Sequence, residues 1–183
     1  LEALGLPVFY TNPTRFETII SNIERFGQLT GHLSTANQAA EQMRAQLEEL
    51  RQTYAHKTPV RVFYQVWDQP LMTLNGEHAV SRALETCAGI NVFAAEPTIA
   101  PRINVEGVLS TNPQLILLAG HDNAQASGWL EKWQHWPAID AVSKQQIHYL
   151  NPDIINRPTR RFLEGTREVC EIIDAVRNAL PGG

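Results

Sequence analysis

The sequence lacks the residues and patterns that mark most catalytic and metal-binding proteins. Among 183 residues there are only two cysteines, and they form neither a C-x-x-C pair nor a zinc-ligand spacing. No G-x-S-x-G elbow, P-loop, G-x-G-x-x-G fingerprint or H-E-x-x-H pair occurs. These absences argue against redox catalysis, a structural zinc site and nucleotide chemistry.

The chain also lacks an excess of positive charge and a long apolar segment. Fifteen Lys and Arg against nineteen Asp and Glu give a net charge of −4, which makes nucleic acid an unfavourable partner. No apolar run reaches the roughly 20 residues that a transmembrane helix needs. The opening Leu1-Glu2-Ala3-Leu4 has no signal-peptide pattern, so we expect that any export signal has been removed or was not included. What is present, 43% hydrophobic and 19% charged residues, is enough for a folded core and excludes disorder as the main state.

Hydrophobic periodicity predicts strands that alternate with helices. The predicted elements are a strand at 60–66, a helix at 79–88 closed by Gly89, an extended segment at 92–93, a helix at 105–110, a strand at 115–119, a helix at 127–135, a strand at 147–150 and a helix at 160–180. Such alternation is typical of a mostly parallel sheet covered on both faces. Ahead of it we predict a short buried strand at 8–10, an amphipathic helix from Phe16 to about Gly27–Gly31, and a longer helix over 34–54. We interpret the helix over 34–54 as a packed connecting helix, since its stripe of apolar residues is too short to indicate a coiled coil.

Ligands of parallel sheets bind beyond the carboxyl ends of the strands. Three predicted loops follow strands, at 67–76, 120–127 and 151–159, and we expect them to share one edge of the sheet. Trp67 enters the first loop directly from a buried strand. An indole there favours a flat apolar ligand, although it could also fold back on its own loop. Trp129, Trp133 and Trp136 have helical spacing and are interpreted as core or lobe surface.

Two further features leave alternatives open. His121 and Asp122 in the second loop are either solvated side chains or a catalytic or metal-binding pair. Cys87 and Cys170 are either buried thiols of a reducing compartment or a disulfide of an oxidising one.

Four segments carry a family resemblance. RVFYQVWDQPLMTLNG, ALETCAGINVF, NVEGVLSTNPQLILLAG and LNPDIINRPTRRFLEGTREVCEII resemble, in this order, the C-terminal half of periplasmic cobalamin-binding proteins. These are substrate-binding proteins of ABC importers in which one long helix joins two lobes. The opening LEALGLPVFY and the helix through GQLTG are similar to the end of the N-terminal lobe. The resemblance implies an α/β fold: the last unit of an N-terminal lobe at 1–31, an interlobe helix at 32–57, and a three-layer C-terminal lobe with a mostly parallel sheet at 58–183.

The resemblance also implies a function and its residues. We expect a periplasmic receptor, not an enzyme, that captures cobalamin between its lobes and delivers it to an inner-membrane ABC permease, with cobalamin as cargo and no other cofactor. It implies a disulfide between Cys87 and Cys170. The implied ligand contacts are Trp67, Asp68, Pro70 and Leu71 in the first loop, His121 and Asp122 in the second, and Asp153 and Ile154 in the third. The resemblance further implies that Asp153, Asn156 and Glu164 contact the transporter, although relatives carry a glutamate at the position of Asn156.

Three alternatives predict different geometries. The same fold could bind haem or a ferric siderophore, which the side chains of Arg102, Arg157, Arg160 and Arg161 would favour if they converge on the cleft. An enzyme would need His121 and Asp122 within hydrogen-bond reach of each other or of further ligands. A purely structural module would bury Trp67.

Overall fold

Two long helices precede an alternation of strands and helices in the computed structural model, which describes residues 2–6, 8–120 and 123–180. In chain order the elements are a 3₁₀ helix (Glu2–Leu4), α1 (Phe16–Thr30), α2 (Leu33–Tyr54), β1 (Val60–Gln65), β2 (Trp67–Asp68), β3 (Leu71–Met72), α3 (Ala79–Thr86), β4 (Gly89–Asn91), α4 (Val105–Thr111), β5 (Leu115–Leu118), α5 (Asn123–Trp133), α6 (Asp140–Ser143), β6 (Ile147–Tyr149), α7 (Pro152–Ile155) and α8 (Phe162–Ala179). Within these residues no helix is both long and apolar enough to cross a membrane.

The predicted parallel sheet is confirmed. Its four strands lie in the order β4-β1-β5-β6, and every neighbouring pair is parallel. β1 and β5 are buried on both faces, as expected of central strands in such a sheet. Alternate residues divide between the two faces: Val62 and Tyr64 join one apolar cluster, while Phe63 joins the other.

Helices cover both faces and produce three layers. The larger cluster collects the apolar faces of α1, α2, α3 and α8. The smaller cluster lies under α4, α5 and α6 and contains Trp129 and Trp133, which confirms that these indoles belong to the core. Trp136 lies just beyond α5 and is 39% exposed, on the surface of the lobe.

A disulfide ties α8 to the end of α3. Cys87 and Cys170 are bonded and fully buried, which is the pairing implied by the family resemblance. Beside it the Arg177 guanidinium donates to Cys87 O at 2.9 Å and to Thr58 O at 2.6 Å. Arg177 is only 5% exposed and pairs with Asp174, so its buried charge is compensated.

The long helix is confirmed over 22 residues, and it packs closely on α1. α1 ends at Gly31, whose φ of 74° is the left-handed conformation that glycine adopts easily. At the crossing of the two helices a Cβ on Gly27 would lie 2.1 Å from the Cβ of Ala36, so only glycine fits there. The Phe16 ring of α1 also meets the Phe162 ring of α8 at 5.2 Å, which joins α1 to the same core.

The predicted buried strand at 8–10 is wrong. This segment has no strand partner in the described part of the chain, and Phe9 and Tyr10 are 40% and 73% exposed. A β-branched and aromatic run has strand propensity, but a strand forms only where a neighbour satisfies its backbone. Phe9 instead places its ring against Phe26 of α1, 5.2 Å away.

Three boundaries also differ from the prediction. α3 ends at Thr86, and Ala88 rather than Gly89 takes the left-handed conformation, so Gly89 opens β4 and the extended segment lies at 89–91. α5 begins at Asn123, four residues before the predicted start. The third loop is not irregular throughout, because Asn151 caps the short helix α7 and Pro152 occupies its first turn.

Candidate ligand site at the carboxyl edge of the sheet

The carboxyl ends of β1, β5 and β6 lie side by side. Gln65 is in register with Leu118, and Leu118 with Tyr149. Beyond the ladder, Ala119 N donates to Gln65 O at 3.0 Å and Leu150 N donates to Leu118 O at 2.9 Å. The chain segments that follow the three strands therefore start at one edge, as predicted.

The segment after β1 forms a two-stranded hairpin that carries Trp67. β2 and β3 pair antiparallel, with Trp67 opposite Met72, and the Gln69–Pro70 peptide bond in the turn is cis. The Trp67 side chain is 40% exposed, and its Nε1–H donates to Gln69 O at 3.0 Å. The indole thus keeps its polar atom bonded within its own loop while presenting carbon surface to solvent. The alternative in which Trp67 is buried is wrong.

The other three predicted contacts of this loop are placed differently. Pro70 is exposed at the turn and Leu71 is half-buried. Asp68 forms an ion pair with Lys132 of α5, and its side chain is only 22% exposed. The Asp68 carboxylate therefore already has a charged partner within the protein.

A small groove separates the hairpin from the end of α5. It has a volume of about 110 Å³ and is lined by Asp68, Leu71, Val105, Lys132, Trp133 and Trp136. On its inner side Trp133 Nε1 donates to Gln65 Oε1 at 2.7 Å in the buried core. Sequence reasoning missed Lys132 altogether, since 64 residues separate it from Asp68. The sequence contains a signal only for the Trp133 contact: Gln65 is a polar residue in an apolar strand and needs a hydrogen-bond partner when it is buried.

The third segment is held to the sheet by Tyr64. The buried Tyr64 hydroxyl donates to Asn156 Oδ1 at 2.6 Å, and burial raises the pKa of this phenol well above its usual range. Asp153 is exposed and pairs with Arg157 at 3.1 Å, while Ile154 is half-buried. Of the implied contacts here, Asp153 is accessible at the surface and Ile154 is partly so.

The implied docking residues fall into two groups. Asp153 and Glu164 are exposed, and Glu164 lies 3.8 Å from the Arg161 guanidinium. Asn156 is half-buried and accepts a hydrogen bond from the Tyr64 hydroxyl, so its side chain helps to hold this segment to the sheet.

His121 and Asp122 lie outside the described residues. In the part of the chain that is described, no three His, Cys, Asp or Glu side chains are grouped so that they could hold a metal ion.

The arginines named for an anionic ligand do not form one cluster of unpaired charge. Arg157 and Arg161 each have a carboxylate partner from a neighbouring turn. Arg102 lines a different cleft, of about 430 Å³, together with Phe93, Glu96 and the start of α4. Arg160 is exposed at the surface.

Comparison with known proteins agrees with this architecture. The family model described as periplasmic binding protein matches residues 1–154. A vitamin B12-binding protein of Vibrio campbellii is 33% identical over 177 residues, which are 97% of this chain and 63% of that protein. The chain therefore spans about three fifths of the length of this curated relative.

Solved structures show the same fold. The periplasmic vitamin B12-binding protein of Vibrio cholerae superposes with a TM-score of 0.85 at 31% identity, over 96% of this chain and 68% of that one. The periplasmic haem-binding protein RhuT of Roseiflexus sp. RS-1 reaches 0.83 at 18% identity, over 96% and 70%, which supports the fold alone. The chain belongs to the periplasmic binding protein family.

Proposed function

We propose that this chain is part of the periplasmic receptor of an ABC importer and that its cargo is cobalamin. The observation that carries the proposal is the identity of 33% to a vitamin B12-binding protein over 97% of the chain. Cobalamin is cargo here, and the proposal includes no resident cofactor and no chemical step. Delivery to an inner-membrane permease follows from the ABC-importer role.

Trp67 is the main apolar contact in this proposal. A tryptophan side chain has roughly 250 Å² of surface, so the exposed 40% corresponds to about 100 Å². Covering that area with a corrin ring would contribute about 2.5 kcal/mol. Polar groups along the edge would then hydrogen-bond the amide side chains of cobalamin and fix its orientation.

Two of the four arginines that would suit an anionic iron chelate already have carboxylate partners. A ferric siderophore or the propionates of haem would be best held by unpaired guanidinium groups. Arg157 and Arg161 are instead paired with Asp153 and Glu164, at 3.1 Å and 3.8 Å. Haem is the second candidate, and the titration below tests it against cobalamin.

The buried disulfide supports a periplasmic location. Disulfides persist in oxidising compartments such as the bacterial periplasm and are rare in the cytosol. The Cys87–Cys170 bond joins two elements of the core and is inaccessible to solvent, as expected of a structural disulfide.

The test is a side-by-side absorbance titration of the full-length protein with cyanocobalamin, haemin and a ferric hydroxamate. We expect saturable binding of cyanocobalamin. Replacing Trp67 with Ala should weaken cyanocobalamin binding at least tenfold. The affinity of a Trp67→Phe variant should lie between those of the wild type and the Ala variant, because a smaller flat ring is retained. Ile90→Ala is the matched control: Ile90 is 50% exposed but lies at the opposite end of the sheet, in register with Arg61. Saturable binding of haemin or the hydroxamate alone would overturn the proposed cargo.

A further inference from the structure

The hairpin that carries Trp67 is short. Its ladder consists of two residue pairs, Trp67 with Met72 and Asp68 with Leu71. An isolated two-stranded hairpin of this size is not stable in water, so its position depends on what holds it from outside.

Backbone contacts hold one side of the hairpin. Val66 N donates to Met72 O at 3.1 Å, and Ile103 N donates to Leu71 O at 3.0 Å. The first bond extends the ladder of the hairpin itself, and the second ties β3 to the segment at 102–103, where Arg102 also forms an antiparallel bridge with Met72. Neither reaches the turn beside Trp67.

α5 supplies the contact on the other side. Trp133 and Trp129 anchor the helix in the core, each 4% exposed, and Trp133 is bonded to Gln65 at the end of β1. From this fixed helix the Lys132 ammonium group pairs with Asp68, the residue next to Trp67. Leu71 of β3 packs against the apolar cluster that contains Trp133, but the groove of about 110 Å³ between the two elements leaves part of this contact unfilled.

We infer that Lys132 is a positioning residue for the ligand site: its ion pair with Asp68 holds the hairpin at the distance from α5 at which Trp67 faces the ligand. Asp68 is then the acceptor of this link and not a ligand contact. The inference rests on the proposed function for its effect on binding, but its effect on the hairpin is independent of any ligand.

The exposure of the two side chains sets the size and the salt dependence of the effect. The Lys132 and Asp68 side chains are 54% and 22% exposed, so the pair is partly screened and contributes little to global stability. Losing it should loosen the hairpin without unfolding the protein. Raising ionic strength from about 0.05 M to about 0.5 M should have the same effect on the wild type.

The experiment compares Lys132→Met with Lys144→Met in the full-length protein. Lys144 is a matched control, because it also pairs with an aspartate, Asp140 at 3.3 Å, on the exposed end of a helix. We expect Lys132→Met to accelerate hydrogen exchange of the Val66 and Ile103 amides about fivefold and to weaken cyanocobalamin binding three- to tenfold. Lys132→Arg should restore both, and high salt should weaken the wild type but not the Met variant.

Two results would overturn the inference. One is equal exchange rates in the Lys132→Met and Lys144→Met variants. The other is an Asp68→Asn variant that loses affinity while Lys132→Met keeps it, since Asp68 would then contact the ligand directly. If the wild type binds none of the ligands tested, the proposed function fails, whereas the exchange comparison still decides the role of Lys132.

Discussion

Removing the Cys87–Cys170 disulfide should cost a large part of the stability of this lobe. The two cysteines are 83 residues apart, and closing a loop of this length in the unfolded chain corresponds to about 4 to 5 kcal/mol by chain entropy. Both sulfurs are fully buried, so a double Cys→Ala variant also leaves a small cavity that costs about 1 kcal/mol more. The Arg177 guanidinium donates to the backbone carbonyl of residue 87, so this hydrogen bond survives the substitution.

Urea unfolding of three samples separates these two effects. They are the oxidised wild type, the wild type unfolded and refolded under reducing conditions, and the Cys87→Ala/Cys170→Ala variant. With a urea dependence of about 2 kcal/mol per molar, the midpoint should fall by about 2 M in the reduced protein and slightly further in the variant. A loss below about 1 kcal/mol in the reduced wild type would refute the reasoning, because the packing of α3 on α8 would then hold the lobe without the bond.

Three other substitutions test the packing and the titrating groups. Tyr64→Phe should destabilise the protein by about 1 to 2 kcal/mol in urea unfolding, because it removes the hydrogen bond to Asn156. The raised pKa of Tyr64 means that wild-type stability falls above about pH 10, where only the unfolded state ionises. The Phe variant should lack this fall, and an unchanged alkaline profile would contradict the reasoning. His78 caps α3 and burial lowers its pKa, so its contribution is present above about pH 6.5 and is lost as the pH falls and the unfolded state takes up the proton. His78→Asn keeps a capping side chain and should flatten the urea midpoint between about pH 7.5 and pH 5.5; an unchanged slope would assign the dependence to another group. Gly27→Ala should lower stability by about 2 to 3 kcal/mol in thermal unfolding, because the new methyl group meets Ala36, whereas Gly128→Ala in α5 has open space and should be neutral or stabilising. Equal melting temperatures for the two glycine variants would show that α1 and α2 separate at little cost.

Local pattern was sufficient for most elements of the lobe. The strands at β1, β5 and β6 and the helices α2 and α8 follow from apolar periodicity, since each buries a face that the pattern already defines. The edge of the sheet that carries Trp67 was predictable for the same reason, because parallel strands place their carboxyl ends together. The Cys87–Cys170 pairing came from the family resemblance and not from spacing.

Pattern failed where a segment depends on a distant neighbour. The run at 8–10 has the composition of a strand, yet it forms none, because pairing requires a second strand beside it. Sequence reasoning also missed the hydrogen bond that the Tyr64 hydroxyl, 92 residues away, donates to Asn156.

The residue types along the chain decided which faces are apolar and that Trp67 follows a buried strand. Packing of elements far apart in the chain decided that Asp68 pairs with Lys132 and that a groove lies between the hairpin and α5. Periodicity reports each residue's neighbours within a turn or a pleat, whereas a salt link across 64 residues exists only once the sheet and its helices have brought the two side chains together.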